Sequence, residues 1–379
     1  MVRRLEGLLL ALISICIVLE FTAKHEVPEF QIERATTRRT LLKYHTCHTN
    51  ATHQVRLRQK PDLIILGAQK AGTTAVYKFL SQHPDVAVPV QFEPHFFDLC
   101  VTPPTTAMLT AEPSPHMIVY SHYGRSRYRY RNRTEEEIRC QIFVDYCERL
   151  KIPDNTTVSV EKTPSYMFYS DLPRAISDTV PWAKWLVLLR NPVDRLYSQY
   201  QMVYHRGYST TGTNLTLEAV LDEELDLLVD YNLIDANLTL SQNLTRAARD
   251  ELDAVGYLGS DHQYRRYLQR GMYFFQLERW LQYSRLNETL LVLPFEELKL
   301  DPKRTMRKVT DFLGISPLHL PDAAWHKTFI PRAGFNSKTS QRKADPMSPK
   351  VRAFLMRFYE PYNELLADLL GPEWKNYWW

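Results

Sequence analysis

A strand, a glycine-bounded turn and the start of a helix follow one another in residues 61–77, and this segment constrains the fold most. The four-residue apolar run that begins at Leu63 predicts a short buried strand. Gly67 and Gly72 bound the turn, and a helical pattern follows it. The N–H groups of such a turn and the dipole of the helix attract an anion. We therefore predict a phosphate-type site here, with a glycine turn that binds nothing as the alternative.

The glycine spacing matches the ATP-binding pattern G-x-x-x-x-G-K-[ST], but the residues around the glycines differ from it. Thr73 stands at the position of the lysine, and the lysine of this loop is Lys70. The sequence contains no clear apolar strand that ends in a magnesium-binding aspartate. A metal-dependent kinase-like enzyme is therefore disfavoured, although it stays an alternative. The cysteines and histidines have no zinc-site spacing, so we expect no metal.

A second phosphate-binding pattern lies in residues 182–200. The apolar run from Trp185 to Leu189 predicts another buried strand. Arg190 follows at its carboxyl end, where open α/β sheets bind ligands. Ser198 lies eight residues further on, in a predicted helix. A guanidinium and a hydroxyl suit a phosphate monoester, whereas a surface ion pair beside an unrelated serine is the alternative reading.

Together these segments resemble the donor-binding motifs of sulfotransferases, which use 3′-phosphoadenosine 5′-phosphosulfate (PAPS) as co-substrate. The resemblance implies that the first loop binds the 5′-phosphosulfate and that Arg190 and Ser198 bind the 3′-phosphate. The loop residues it assigns to the donor are Gln69, Lys70, Ala71, Gly72, Thr73 and Thr74. The basic loop at residues 335–343 resembles the segment that closes over the 3′-phosphate. Its candidates are Lys338, Arg342 and Lys343, with a solvated charge run as the alternative.

Residues 93–98, Glu-Pro-His-Phe-Phe-Asp, and 161–166, Glu-Lys-Thr-Pro-Ser-Tyr, resemble the heparan sulfate 3-O- and N-sulfotransferases. The resemblance implies that Glu93 is the catalytic base and that Lys162 lies beside donor and acceptor. A carboxylate can take the proton of a sugar hydroxyl as the hydroxyl attacks sulfur. Lys162 and the lysine of the first loop would stabilise the charge on the transferred and leaving groups. His95 is the alternative base, and Glu93 would then be a solvated loop carboxylate.

The chain departs from the heparan enzymes directly before this glutamate, where they have lysine and this sequence has Phe92. A missing cation changes the pKa of the glutamate and the contacts to an anionic sugar. The chain has no cysteine pair around the basic loop, and its C-terminus is rich in tryptophan. In both features it resembles the chondroitin N-acetylgalactosamine 4-sulfate 6-O-sulfotransferase branch. The resemblance thus implies PAPS use and a polyanionic glycan acceptor, but not which sugar or hydroxyl. Protein-tyrosine sulfation and glycan binding with a degenerate donor site stay as alternatives.

Strands that alternate with helices through residues 61–379 predict an α/β fold, a single P-loop-like domain with a mostly parallel sheet flanked by helices. The chain has 379 residues, of which 44% are hydrophobic, so it can bury a large core. The formal charge of +4 is mild and does not require a nucleic-acid partner, which we do not expect. Helical patterns are at 216–235, 272–283 and 303–313, and a strand is at 290–293.

The N-terminus has a targeting pattern in which two arginines precede an apolar run. We predict a cytosolic tail at residues 1–6, a transmembrane signal anchor at 7–22 and a lumenal stem at 23–60. The short run could also be the core of a cleaved signal peptide, but Phe21 is bulky at the −3 position of the cleavage site. We therefore expect a single-pass type II protein of the Golgi membrane. The sequence leaves the oligomeric state open.

Sequons and cysteines agree with a lumenal catalytic domain. The seven Asn-x-Ser/Thr acceptors are Asn50, Asn132, Asn155, Asn214, Asn237, Asn243 and Asn287. The cysteines that would lie in the lumen are Cys47, Cys100, Cys140 and Cys147. They allow two disulfides in three connectivities, one of which closes a small loop between the last two cysteines. Buried free thiols are the alternative.

Overall fold

The structure is a computed structural model that describes residues 61–100, 142–152, 157–206, 216–235, 266–327 and 346–378, with single gaps at 144 and 148. All of them belong to one unit, His45–Trp379. At the ends of three helices, residues 99–100, 205–206 and 326–327, only the backbone is described. The predicted tail, anchor, stem and basic loop, and every predicted sequon except Asn287, lie outside these ranges. Within them, no helix is both long and apolar enough to cross a membrane.

The described residues form a five-stranded sheet in the order β2-β3-β1-β4-β5, and every pair of neighbouring strands is parallel. The strands are β1 (Leu63–Gly67), β2 (Val86–Ala87), β3 (Val158–Lys162), β4 (Lys184–Leu189) and β5 (Leu290–Pro294). In this register Ile65 of β1 pairs with Lys162 of β3 on one side and Leu186 of β4 on the other. The predicted parallel α/β fold is therefore confirmed for this part of the chain.

Helices connect and flank the strands. Before β4 come α1 (Thr73–Leu80), α2 (Phe96–Cys100) and α3 (Leu172–Thr179), and the described residues between 142 and 150 are helical as well. Those between β4 and β5 are α4 (Pro192–Arg206), α5 (Leu217–Asp230) and α6 (Tyr273–Leu281). After β5 come α7 (Phe295–Leu300), α8 (Pro302–Leu313), α9 (Asp322–Lys327) and α10 (Pro349–Leu370). Short 3₁₀ turns lie at Tyr166–Phe168, Gln269–Gly271 and Pro372–Tyr377.

Helix boundaries follow local chemistry that the sequence already contains. The Asn191 side chain accepts N–H bonds from Val193 and Asp194 and so caps α4. Asp301 caps α8, and Gly314 ends it in the left-handed conformation with φ of 73°. The predicted helices at 216–235, 272–283 and 303–313 are confirmed as α5, α6 and α8, with ends shifted by up to five residues.

Two elements differ from what the sequence pattern indicates. The strand β3 is buried along its whole length although it contains Ser159, Glu161 and Lys162. A polar strand of this kind gives no apolar run to recognise. The C-terminal helix α10 continues through Pro361, although a proline cannot donate the helical N–H bond.

The order of the strands creates a crevice in the middle of the sheet. The chain passes from the central strand β1 towards β3 and β2 on one side, and from β4 towards β5 on the other. The connections after β1 and β4 thus diverge at the carboxyl ends of the two strands. This is the switch point at which open α/β sheets bind ligands, and the two predicted phosphate-binding segments meet there.

Candidate active site

The loop between β1 and α1 can follow its path only because two positions are glycine. A side chain at Gly67 would place its Cβ 2.5 Å from Cβ of Met167. At Gly72 a Cβ would lie 2.6 Å from a ring carbon of Phe295, and φ is +89°. Lys70 also has a positive φ, of 73°. The loop therefore turns sharply against the protein and leaves the opposite side of its backbone for a ligand.

The start of α1 lies directly behind this loop. Gly72 is its N-cap residue and has no side chain that could cap the helix. The N–H groups of the first turn are the ones that a helix leaves without an internal partner. Thr73 is buried and Thr74 is half-buried at this end. A backbone cradle, a helix start and the loop lysine are together suited to the 5′-phosphosulfate of PAPS.

Arg190 brings the second segment to the same place. Its Nη1 donates a hydrogen bond to the backbone oxygen of Lys70 at 3.2 Å, and its guanidinium carbon lies 5.0 Å from the centre of the Phe295 ring. The hydroxyl of Tyr273 donates to the backbone oxygen of Arg190 at 2.8 Å. Ser198 is half-buried in the second turn of α4. The structure thus joins the two predicted donor segments, and it adds Tyr273, to which the sequence assigned no role.

Lys162 connects the predicted base with the donor loop. Its Nζ donates to Oε1 of Glu93 at 2.5 Å and to Oγ1 of Thr74 at 3.2 Å. The Lys162 side chain is fully buried, whereas that of Glu93 is 33% exposed. Glu93 and Lys162 are 69 positions apart and meet because Glu93 follows β2, which is the neighbour of β3 in the sheet. The Lys162 side chain thus links the Glu93 carboxylate to the start of the helix behind the loop that would bind the donor.

His95 contacts the other oxygen of the same carboxylate. Its Nε2 lies 3.6 Å from Oε2 of Glu93, and its Nδ1 lies 2.9 Å from Oδ2 of Asp98. The buried Asp98 also accepts a hydrogen bond from the hydroxyl of Ser165. The Glu93 carboxylate therefore lies between the Lys162 ammonium and the His95 ring, and Asp98 contacts the other nitrogen of that ring.

These contacts decide the protonation of the two candidate bases. Burial raises the pKa of Glu93, but the bonds to His95 and Lys162 outweigh it and bring the pKa to about 2. Burial lowers the pKa of His95, but its bonds to Asp98 and Glu93 outweigh it and raise the pKa to about 10. Near neutral pH, Glu93 is therefore an anion that can accept a proton, and His95 is a cation that cannot. For Lys162, burial lowers the pKa although Glu93 opposes the shift.

A second carboxyl belongs to the residue directly before Lys162 in β3, and it was not singled out in the sequence. Glu161 is completely buried, and it accepts hydrogen bonds from the hydroxyls of Tyr146 at 2.5 Å and Thr163 at 2.7 Å. Burial raises the pKa of Glu161 to about 7, although these hydroxyls lower it. Its presence inside the motif at 161–166 was visible in the sequence, but its burial was not.

The remaining predicted site residues have the following positions. Gln69 is half-buried and Ala71 is fully buried in the loop. Asn287 is exposed in the turn before β5, as a glycosylation site requires. Cys147 is buried, the side chain of Cys100 is not described, and the other cysteines and the basic-loop residues lie outside the described ranges. The described part of the chain contains no His, Cys, Asp and Glu group that could hold a metal.

This fold and these loops define an α/β protein with a crevice suited to an anion at the switch point of a parallel sheet. Residues 60–331 match the sulfotransferase domain family, and the chain belongs to that family. A crystal structure of a sulfotransferase from Alicyclobacillus acidocaldarius has the same fold. Its TM-score is 0.53 at 24% identity, and the match covers 83% of this chain and 99% of that one.

Relatives include human bifunctional heparan sulfate N-deacetylase/N-sulfotransferase 1. It is 30% identical over 336 aligned positions, and the match covers 82% of this chain and 29% of the human protein. Mouse heparan sulfate glucosamine 3-O-sulfotransferase 3B1 is 26% identical over 329 aligned positions, and the match covers 83% of this chain and 64% of the mouse protein. The chain therefore spans about three tenths of the length of the first of these relatives and about two thirds of the second.

Proposed function

We propose that this protein is a PAPS-dependent sulfotransferase that transfers a sulfuryl group to a hydroxyl of a glycan. The proposed acceptor is a glycosaminoglycan. The observation that carries the proposal is the pair of bonds made by Lys162. They join Glu93, the one candidate base that is anionic, to Thr74 at the start of the helix behind the donor loop. The names of the two relatives, which act on heparan sulfate, support a glycosaminoglycan acceptor.

The donor would be held by the loop from Gln69 to Thr74 and by Arg190. The backbone cradle and Lys70 suit the 5′-phosphosulfate, and a guanidinium suits the 3′-phosphate because it can donate paired charge-assisted bonds. Ser198 and the basic residues Lys338, Arg342 and Lys343 are further proposed contacts of that phosphate. When bound, PAPS supplies the activated sulfuryl group, whose transfer requires no metal.

Glu93 would accept the proton of the acceptor hydroxyl. With both cations in contact, its pKa of about 2 is too low for an efficient base near neutral pH. Moving Lys162 away from Oε1 removes a cause of this low pKa. The bond from Lys162 to Thr74 supports a movement towards the donor loop, where the ammonium would meet the negative charge of the transferred group. Lys162 would thus couple occupation of the donor loop to activation of the base.

His95 would keep Glu93 in place rather than compete with it. The imidazolium is held by Asp98 on one side and contacts Glu93 on the other. The charged ring orients the carboxylate, and it carries no vacant nitrogen lone pair with which to accept a proton.

The test is sulfate transfer by the full-length chain in detergent, without metal. Radiolabelled PAPS is offered with desulfated heparan, chondroitin, dermatan and a tyrosine peptide. Glu93→Gln and Lys70→Ala should lose transfer, and the exposed Glu364→Gln should keep it. Label on the peptide alone would favour tyrosine sulfation. Binding of adenosine 3′,5′-bisphosphate without any transfer would favour a glycan-binding protein. Binding of Mg-ATP instead would refute the proposal and favour a kinase-like enzyme.

We also infer a Golgi location with a type II orientation, on the basis of the arginines and apolar run before residue 23 and the seven sequons. In sealed microsomes the catalytic domain should resist added protease, and treatment with an N-glycosidase should increase its mobility. A protease-sensitive, unglycosylated chain would refute the lumenal topology. Non-reducing peptide mapping would show whether the four candidate cysteines form two disulfides.

A further inference from the structure

Phe92 is an exposed aromatic residue directly beside the candidate base. Its relative exposure is 45%, which is high for a large apolar side chain, and Val90 in the same segment is 80% exposed. The ring makes an edge-to-face contact with Tyr77, with centroids 5.2 Å apart and an interplanar angle of 89°. One part of the ring is thus fixed by the protein while another part faces solvent next to Glu93.

Phe92 also covers the cation that would otherwise meet an acceptor at this point. Nζ of Lys162 lies 3.8 Å from the centre of the Phe92 ring, and the Lys162 side chain is fully buried. The cationic His95 is already bonded to Asp98 and in contact with Glu93. In the described part of the chain, the surface next to the base therefore presents an aromatic ring, and the two cations that contact Glu93 are covered or engaged.

An aromatic face and a cation recognise different parts of a sugar. A cation binds a carboxylate or a sulfate, whereas a ring packs against the C–H groups of a pyranose and buries apolar surface. A single exposed aromatic is ordinary elsewhere on a protein surface. At this position it precedes the base and packs against the lysine that bonds to the base, so a bound acceptor ring must come close to it.

We propose that Phe92 determines acceptor specificity by stacking on the uncharged C–H face of the sugar ring whose hydroxyl Glu93 deprotonates. This inference rests on the proposed glycan sulfotransferase activity and goes further, because it assigns the contact that orients the reacting sugar. The sugar ring beside the base is then bound through its apolar face and not through a charged group.

The experiment compares KM and kcat for Phe92→Ala, Phe92→Trp and Phe92→Lys with wild type, using the full-length chain. The acceptors are the desulfated heparan, chondroitin or dermatan that wild type labels best, and the same polymer with its carboxyl groups reduced. Tyr283→Ala removes another exposed aromatic, 39% exposed, and serves as the control. Affinity for adenosine 3′,5′-bisphosphate is measured in each variant, to separate effects on the donor side.

We expect Phe92→Ala to raise KM about 10-fold, equally for both forms of the polymer, with kcat changed less than about 3-fold. Phe92→Trp should keep a KM near that of wild type. Phe92→Lys should recover binding of the carboxylated polymer only. Tyr283→Ala should match wild type. Nucleotide affinity should stay unchanged in all variants.

Three results would overturn the inference while leaving the proposed function intact. They are an unchanged KM in Phe92→Ala, a loss confined to the carboxylated polymer, or a loss that follows nucleotide affinity and so reflects a displaced Lys162. A wild-type chain that labels no glycan would instead overturn the proposed function, and this inference with it. The two failures are thus distinguished by the wild-type measurement.

Discussion

Replacing Glu161 by glutamine should remove the part of the pH dependence of the free energy of unfolding that comes from this one carboxyl. The carboxyl is completely buried, and burial raises its pKa from 4.5 to about 7. Between these two values the folded protein holds a proton that the unfolded chain releases. The stability contributed by this group is therefore fully present below pH 4.5 and is lost as the pH rises towards 7.

The size of the effect follows from the shift. One pKa unit corresponds to about 1.4 kcal/mol, so ionisation of Glu161 reduces the free energy of unfolding by about 3 kcal/mol between pH 4.5 and 8. Glutamine keeps the shape of the side chain and does not ionise. Its amide can still make hydrogen bonds with the hydroxyls of Tyr146 and Thr163, which can rotate to suit it. The stability of Glu161→Gln relative to wild type should therefore increase by about 3 kcal/mol across this range.

Urea denaturation followed by tryptophan fluorescence, at pH 4.5, 5.5, 6.5 and 8, measures this difference directly. Contributions from other titrating groups, and any constant cost of the amide, cancel in the pH dependence of the difference. The control is Glu364→Gln, at an exposed position of α10. A difference that stays constant within about 0.5 kcal/mol over this range would refute the assignment of a protonated buried carboxyl.

Four further substitutions test residues of the crevice and the ends of two helices. Gly72→Ala should lose about 2–4 kcal/mol of stability in urea, because φ is +89° and its Cβ would meet Phe295 at 2.6 Å. Gly314→Ala, with φ of +73° but no atom within 4 Å, should lose only about 1–2 kcal/mol, and equal losses would contradict the steric argument. Arg190→Lys should weaken adenosine 3′,5′-bisphosphate binding about 10-fold or more by calorimetry, without change in the urea midpoint, and unchanged binding would remove this residue from the donor site. Asn191→Ala should lose about 1 kcal/mol as a helix cap, and no loss would show that its two N–H bonds are replaced by water.

Much of the fold was predictable because its strands and helices have local signatures. The apolar runs of β1, β4 and β5 are buried strands, and their neighbouring helices begin or end at recognisable caps such as Asn191 and Gly314. The strand β3 was not predictable from its pattern. It is polar and yet buried, because the side chains of Glu161 and Lys162 find their partners in distant segments.

The candidate site divides in the same way. The resemblance of short motifs to sulfotransferases indicated Lys70, Glu93, Lys162 and Arg190 individually, and the family match agrees with the class of enzyme. The resemblance placed Glu93 ahead of His95 as the base, but the motifs gave no physical reason for that order, because it depends on which charged groups surround each residue. The structure supplies those neighbours and their effect on each pKa.

The sequence by itself determined the glycine-bounded turn between a strand and a helix, the parallel α/β class and the residue types proposed for sulfate transfer. These properties depend on spacing along the chain, where neighbours in sequence are also neighbours in space. Only the tertiary structure decided that Lys162 bridges Glu93 and Thr74, that Arg190 reaches the donor loop, and that Phe92 covers the lysine. Those contacts join segments far apart in the sequence, and they depend on the order in which the strands assemble and on the burial that results.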